Sequence, residues 1–390
     1  MNLLTNKQLA IIGAGPTGLM LAVLLQRRGA AVTVYERDAG PETRIWGGTL
    51  DLHRNSGQRA LEAAGLLQQF YQLARPTAER TAAPDGSILE DEPVEEATAY
   101  WRPEIDRPDL RRLLLSALAP GTVRWAHAFD SLDELPDGRL QLHFAGQPAQ
   151  LADVVVGANG GRSKVRRYAG GAEPVYSGTV YVQGDLTDPA HHAPAYAALV
   201  GGGNLMVPGG QHLLVSHTKA DGTLEMGLTF RVPETWMAER GIRGEEPATV
   251  RQLLRDTLAD WAPVYQQAFA ATQEWRVLPM YFVPLVPGRP VTQPITLVGD
   301  AAHLMPPFAG VGVNIGLLDA LHLAEALGST QYPSLCTAIV AYERTMYAYA
   351  HHAQQMTARA ERSIHGEQDE TPGADRRAEH AAWNALLMGE

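Results

Sequence analysis

The stretch Gln8-Leu9-Ala10-Ile11-Ile12-Gly13-Ala14-Gly15-Pro16-Thr17-Gly18 decides the fold. A short apolar run ends in a Gly-x-Gly-x-x-Gly turn, and Leu21, Leu24 and Leu25 then recur at helical spacing as far as Gly29. A second apolar run, Ala31 to Tyr35, ends in Glu36. Strand, glycine turn, helix, strand and acid all fit within the ~30 residues of a dinucleotide-binding unit. Gly13 permits the tight turn, Gly15 lets backbone N–H groups approach a pyrophosphate, and Gly18 allows close helix–strand packing. Glu36 would accept ribose hydroxyls, and an acid there favours FAD or NAD over a 2′-phosphorylated dinucleotide. The bland reading, a plain turn, leaves the spaced acid without a reason. The same stretch is not a secretion signal, because glycines and a proline break the apolar run and no basic n-region precedes it.

The rest of the composition narrows the partners. A chain of 390 residues exceeds the ~150-residue prior for one domain. With 32 basic and 43 acidic side chains its net charge of −11 argues against binding nucleic acid or anionic lipid through charge alone. No run reaches the ~20 apolar residues of a membrane span. Cys336 is the single cysteine, which excludes an internal disulfide and any thiolate-rich metal site and fits a cytoplasmic protein. The histidines include two adjacent pairs but no metal-ligand spacing, so no metal is expected, and there is no Gly-x-Ser-x-Gly elbow for hydrolysis.

A second strand–turn–helix unit lies far downstream. Ile295 to Val298 runs into Gly299-Asp300-Ala301-Ala302-His303, then Pro306-Pro307, Gly310, Gly312 and Asn314, with a helix from about Gly312. Asp300 can accept a hydrogen bond from a sugar-like hydroxyl, and glycines stand where a ligand must touch backbone. A third stretch, Asp153-Val154-Val155-Val156-Gly157-Ala158-Asn159-Gly160-Gly161-Arg162, leads a strand into glycines and an arginine.

Together these three stretches resemble the FAD-dependent aromatic hydroxylases of the para-hydroxybenzoate hydroxylase type, and Asn159 stands where that superfamily usually has aspartate. Within it the chain is similar, nearly end to end, to the tetracycline-inactivating flavin monooxygenases. Tyr35-Glu36-Arg37-Asp38, Ile45-Trp46-Gly47-Gly48-Thr49-Leu50-Asp51-Leu52-His53, Ala158-Asn159-Gly160-Gly161 and Gly299 through Gly310 carry that likeness. The resemblance implies FAD contacts for Arg37, Asp51, Arg107 and Asp300, with Pro307, Gly310 and Asn314 in the Gly-Asp stretch, and a role for Arg44 in meeting NADPH. It also implies substrate contacts at Gln183, Met206, Gly227 and Phe308. At the two positions where those relatives carry an Arg and a His on the substrate sheet, this chain has Asn204 and Glu225, and Val311 replaces a common glutamine. Without the resemblance, Arg37 and Arg44 read as solvated loop residues, Asp51 as a turn cap, and Arg107 as a surface partner of Asp106 or Asp109, one of which caps the following helix.

Between the two constellations the pattern changes. Val180 and Val182 alternate with Thr179, Tyr181 and Gln183, and Leu224, Met226, Leu228 and Phe230 alternate with Glu225, Gly227, Thr229 and Arg231. Antiparallel sheet is expected from Val175 to Arg231, its polar face meeting either water or a substrate cavity. A helix is expected over Glu245 to Ala270, a strand over Trp275 to Val283, and a long helix from Leu335 to about Ile364. Glu367 to Arg377 reads as a linker. The fold expected is α/β: a Rossmann-like FAD-binding domain (1–75, 100–174 and 284–334), an inserted antiparallel-sheet substrate domain (76–99 and 175–283) and a C-terminal bracing helical segment (335–390).

The resemblance implies a monomeric, single-component monooxygenase in which NADPH or NADH reduces FAD and one oxygen atom of O2 goes to a polycyclic phenol or enol, tetracyclines being the named case. Two other classes remain open at this point: a flavin reductase or dehydrogenase without oxygen insertion, and a non-catalytic binder of a drug-like molecule.

Overall fold

In the computed structural model residues 3–43, 47–242, 246–366, 383 and 387 are described. Strand Gln8–Ile12 sits at the centre of a five-stranded parallel sheet, with Ala31–Tyr35 and Val123–Arg124 on one side and Val154–Gly157 and Ile295–Leu297 on the other. The central strands are continuous apolar runs because both faces are covered, as a parallel sheet requires. Helix Pro16–Gln26 has proline in its first turn and buries every residue from Gly18 to Leu25. It packs on helix Gly312–Gly328, so the two glycine-rich turns that start these helices lie at the same end of the sheet.

A second sheet has seven strands in the order Glu274–Phe282, Val175–Leu186, Leu224–Arg231, His212–Thr218, Asn204–Gly209, Glu79–Ala82, Ile88–Glu92. All neighbours run antiparallel except Asn204–Gly209 and Glu79–Ala82, which are parallel. Val180, Val182, Met226, Leu228 and Phe230 enter a separate core with Tyr196, Leu254 and Phe269, so the period-two alternation places Tyr181, Gln183, Glu225 and Gly227 on the opposite face.

Two expectations give way to proline chemistry. The stretch from Val175 to Arg231 is interrupted by helices Pro189–His192 and Pro194–Val200, each opened by a proline at its start. The single helix expected over 245–270 is two, Pro247–Thr257 and Pro263–Ala271, because Pro263 has no N–H to continue the first and is well suited to begin the second. Trp261 lies in the break and meets Tyr265 edge-on at 5.2 Å.

Helix Leu335–Ile364 begins with a capping box between Ser334 and Thr337 and runs for 30 residues. Tyr342 donates to the carbonyl of Leu297 at 2.9 Å in the parallel sheet. At the other end Thr179 donates to Glu361 at 2.6 Å, and Thr229 pairs with His365 Nε2 at 3.2 Å. One helix thus holds both sheets. Among the described residues no helix is long and apolar enough to cross a membrane. The stretch from 367 to 377 lies outside the described residues.

Candidate active site

The Gly13–Gly18 turn divides its glycines by what surrounds them. Gly13 has φ +114°, and a Cβ there would lie 2.5 Å from the carbonyl oxygen of Ala158; on Gly18 it would lie 2.1 Å from the oxygen of Gly13. Gly15 is different: a Cβ would meet nothing within 4 Å. The first and third glycines are packed against protein and the middle one opens on free space, the arrangement a pyrophosphate at a helix N-terminus needs. Glu36 is buried at the end of its strand, accepting from the N–H of Ala14 at 2.6 Å and of Asp38 at 3.0 Å. It ties the turn to the second strand and keeps lone pairs to spare. Arg37 is exposed beside it.

The downstream turn is held from behind. Asp319, fully buried, accepts from the N–H of Gly299 at 2.6 Å, pairs with His303 Nε2 at 2.7 Å and accepts from the Tyr349 hydroxyl. Arg166, equally buried, donates to the carbonyls of Ala301 at 2.9 Å and Asp300 at 3.2 Å. These bonds leave the Asp300 side chain exposed at the start of its short helix. The protein around it pushes its carboxyl upward in pKa through desolvation, an effect that open solvent screens. Past the Pro307–Ala309 turn, Gly310 and Gly312 again open on free space. Asn314 is fully buried with its side chain committed, accepting from the N–H of His53 at 2.7 Å and donating to the carbonyl of Asp51 at 2.9 Å. It pins the 51–56 segment to the helix and only its backbone remains for a ligand. The Asp51 carboxylate pairs with His53 at 3.0 Å and Arg102 at 3.5 Å.

Arg107 joins this end of the parallel sheet to the second sheet. Half-buried, it donates to the carbonyl of Gly48 at 3.1 Å, and burial lowers its pKa against the opposing pull of Asp300, Glu225 and Tyr181. The neighbouring Asp106 occupies the N-cap position without capping the helix, its carboxylate taken instead by Arg75 at 2.7 Å and the N–H of Ala220 at 3.0 Å.

On the sheet face Gln183 and Glu225 are bonded to each other, and the other expected substrate residues meet different partners. Glu225, with no exposed surface, accepts from Tyr181 at 2.9 Å and Gln183 at 2.8 Å and pairs with His217 Nδ1 at 3.0 Å. Burial would raise its pKa, yet these bonds hold it below the ordinary carboxylate value. Gly227 lies beneath the Tyr181 ring: a Cβ there would sit 2.0 Å from the phenol oxygen. Asn204 donates to Glu104 at 2.5 Å, and Thr49 donates to the other oxygen of the same carboxylate at 2.5 Å. Met206 is 47% exposed, and Phe308 meets His365 edge-on at 5.4 Å. Arg44 lies outside the described residues. Sequence reasoning placed Tyr181 on the polar face but missed His217 and Glu104; the cross-strand register, which sets His217 opposite Glu225 and Glu104 opposite Asp51, brings them into view.

A parallel sheet carrying two glycine-lined helix starts at one end is the framework of a dinucleotide-binding protein. The chain belongs to the FAD binding domain family, which it matches over residues 6–332. It is 32% identical over 420 residues to the monooxygenase asqM of Emericella nidulans, covering 90% of this chain and 94% of the relative. It is also 32% identical to the 3-amino-4-hydroxybenzoate 2-monooxygenase PtmB3 of Streptomyces platensis, over 83% of this chain and 80% of that one. The solved structure of tetracycline destructase Tet(55) superposes with a TM-score of 0.73 over 98% of this chain and 95% of its own, at 20% identity, a likeness of fold. The protein is an FAD-dependent monooxygenase of the aromatic hydroxylase type.

Proposed function

We propose that the protein hydroxylates a polycyclic phenol or enol held between the Gly299–Gly310 turn and the polar face of the seven-stranded sheet. Bound FAD supplies two-electron storage and activation of O2, with NADPH or NADH as the source of electrons. The chain's own residues bind and orient. Gly13, Gly15 and Gly18 with Glu36 and Arg37 would receive the adenosine and pyrophosphate half. Asp51, Arg107, Asp300, Pro307, Gly310 and the backbone at Asn314 would receive the ribityl and ring half, with Arg44 toward the nicotinamide donor. Gln183, Asn204, Met206, Glu225, Gly227 and Phe308 would form the sheet side of the substrate cavity. In this reading segments 1–75, 100–174 and 284–334 serve FAD, segments 76–99 and 175–283 serve substrate, and helix Leu335–Ile364 of the 335–390 segment braces them.

The observation that carries the reading is Arg107, which donates to the Gly48 carbonyl on the segment seated against Glu225 of the sheet face and feels the charge of Asp300 at the start of its short helix. A cation shared between the open end of the dinucleotide site and the sheet face brings substrate and cofactor to one place and helps exclude water from between them. Tetracycline is the first named candidate. Its destructases resemble this chain in fold, and at the two positions where that resemblance implies an Arg and a His this chain has Asn204 and Glu225, both already hydrogen-bonded to protein.

Purified holoprotein tests this directly: NADPH-dependent addition of one oxygen atom to tetracycline, followed by mass spectrometry in air and under argon, with peroxide assayed in parallel. An oxygenated product that requires air supports the reading. NADPH oxidation that proceeds as fast without O2 would instead make the protein a reductase.

A further inference from the structure

His217 and Glu225 are directly opposed on neighbouring antiparallel strands, and the imidazole Nδ1 lies 3.0 Å from Glu225 Oε2. The carboxyl is entirely buried, its Oε1 accepts from Tyr181 and Gln183, and the bonds around it hold its pKa below the ordinary carboxylate value, which makes Nδ1 the natural donor to Oε2. Nε2 has no hydrogen-bond partner among the described residues, and the His217 side chain is 31% exposed while its partner is wholly covered. A Cβ on Gly48 would lie 3.1 Å from His217 Nδ1 and 2.9 Å from Glu225 Oε2, so the segment that carries Asp51 is seated directly on the pair. The charged and titratable groups that act on the ring come from every side: Glu225 with Tyr181 behind it, Glu104 and Asp51 from the facing two-stranded sheet, and Arg107 acting on Glu225. An imidazole with one nitrogen spent on a buried carboxylate and the ring itself part-exposed is the arrangement of a positioned general base.

We propose that His217, oriented by Glu225, takes the proton from an acidic ring hydroxyl of the substrate. The proposal rests on the monooxygenase reading above and deepens it by naming the feature of substrate that the site selects: a phenol or enol O–H conjugated with the carbon that receives oxygen. The proton passes from that hydroxyl to Nε2, the O–H electron pair stays on the substrate oxygen and enriches the conjugated carbon, and the resulting imidazolium is balanced by Glu225. The proton leaves to solvent when product departs.

The test uses the FAD-loaded enzyme with NADPH in air and a panel of matched probes: 1-naphthol, 2-naphthol and 4-hydroxycoumarin against their methyl ethers, with tetracycline as a larger enol. We expect at least one free hydroxyl compound to stimulate NADPH consumption and gain oxygen, its ether to be at least tenfold weaker in kcat/KM, and the pH profile of kcat/KM to rise with an acid limb above the ordinary histidine value. His217→Gln should lose that limb and the preference for hydroxyl over ether. Glu225→Gln should move the limb to lower pH, because the charge that raises the imidazole pKa is gone. Both variants are first checked for bound FAD, and if neither folds, the hydroxyl-to-ether ratio and pH profile of the unmodified enzyme decide. Ethers that match their phenols, a limb unchanged in His217→Gln, or a fully loaded, NADPH-oxidising enzyme that ignores every hydroxyl probe would each overturn the proposal. Failure to bind FAD or to oxidise NADPH would instead strike the monooxygenase reading itself.

Discussion

The glycine turns of the parallel sheet and the polar face of the seven-stranded sheet are built on opposite principles. At the dinucleotide end the glycine turns work through backbone, where the sequence must keep side chains away, and acids and arginines stand around them: Gly13 and Gly18 are closed in by neighbouring atoms while Gly15, Gly310 and Gly312 face open space. At the sheet face the working groups are side chains, and they are held by one another: Glu225 by Tyr181, Gln183 and His217, and Glu104 by Asn204 and Thr49. A backbone site tolerates no added atoms, whereas a side-chain network tolerates exchange of its members but not loss of their complementarity.

The sharpest way to break this contrast is Gly18→Val. Its first added carbon would fall 2.1 Å from a carbonyl oxygen that cannot retreat, so the variant should lose about 3 kcal/mol or more of stability and emerge without flavin absorbance. Gly15→Ala adds the same carbon to open space and should fold normally while weakening FAD at least tenfold, read by flavin fluorescence on titration. If Gly15→Ala bound FAD as tightly as the parent, the middle glycine would not face the cofactor. Asp300→Ala comes next: loss of one exposed acceptor for a ligand hydroxyl should weaken FAD by about 1 kcal/mol with little change in Tm.

On the sheet side the effect is smaller and depends on pH. Burial alone would lower the His217 pKa, but Glu225, Glu104 and Asp51 raise it above 6.5, while the Glu225 pKa is held below 4.5. The depressed carboxylate contributes stability that is lost as pH falls through its folded value. The elevated imidazole contributes stability that is complete below 6.5 and lost as pH rises through its own folded value. The pair therefore adds most between pH 4.5 and 6.5, and partial exposure of His217 limits it to about 1 kcal/mol. Chemical denaturation of the parent and of Glu225→Gln should differ most in that window and converge on either side; a constant difference across pH would mean that packing, not charge, is what Glu225 supplies. Met206→Gln, on a side chain 47% exposed, should change stability by less than about 0.5 kcal/mol.

The same contrast explains what the sequence disclosed. The parallel sheet, the two glycine turns and the long C-terminal helix were legible because each depends on local spacing: strand Gln8–Ile12, strand Ala31–Tyr35 and helix Leu335–Ile364 fall on the expected residues. Composition also gave the two faces of the second sheet, since apolar alternation marks the buried side. Which polar residues meet on the other side was not legible. That depends on register between strands, and a slip of one residue would put His217 in the core instead of opposite Glu225. Asn314 shows the converse limit. It lies in a glycine-rich ligand turn, yet its amide is spent on the backbone of Asp51 and His53, a partnership across more than 250 residues that no local pattern reports. The broken helix at Pro263 was readable in principle, because the proline stood in plain view.

The order of strands in the parallel sheet has a consequence for how the protein is made. Its central strand is synthesised before any strand of the second sheet, but the edge strand Ile295–Leu297 and the turn that bears Asp300 follow only after the whole second sheet has been synthesised. The loop that must close is long, and closing it sets the pace of folding more than it sets final stability. A nascent chain can therefore complete the seven-stranded sheet before it owns both glycine-lined helix starts, and the Gly13–Gly18 turn waits for a partner nearly three hundred residues away.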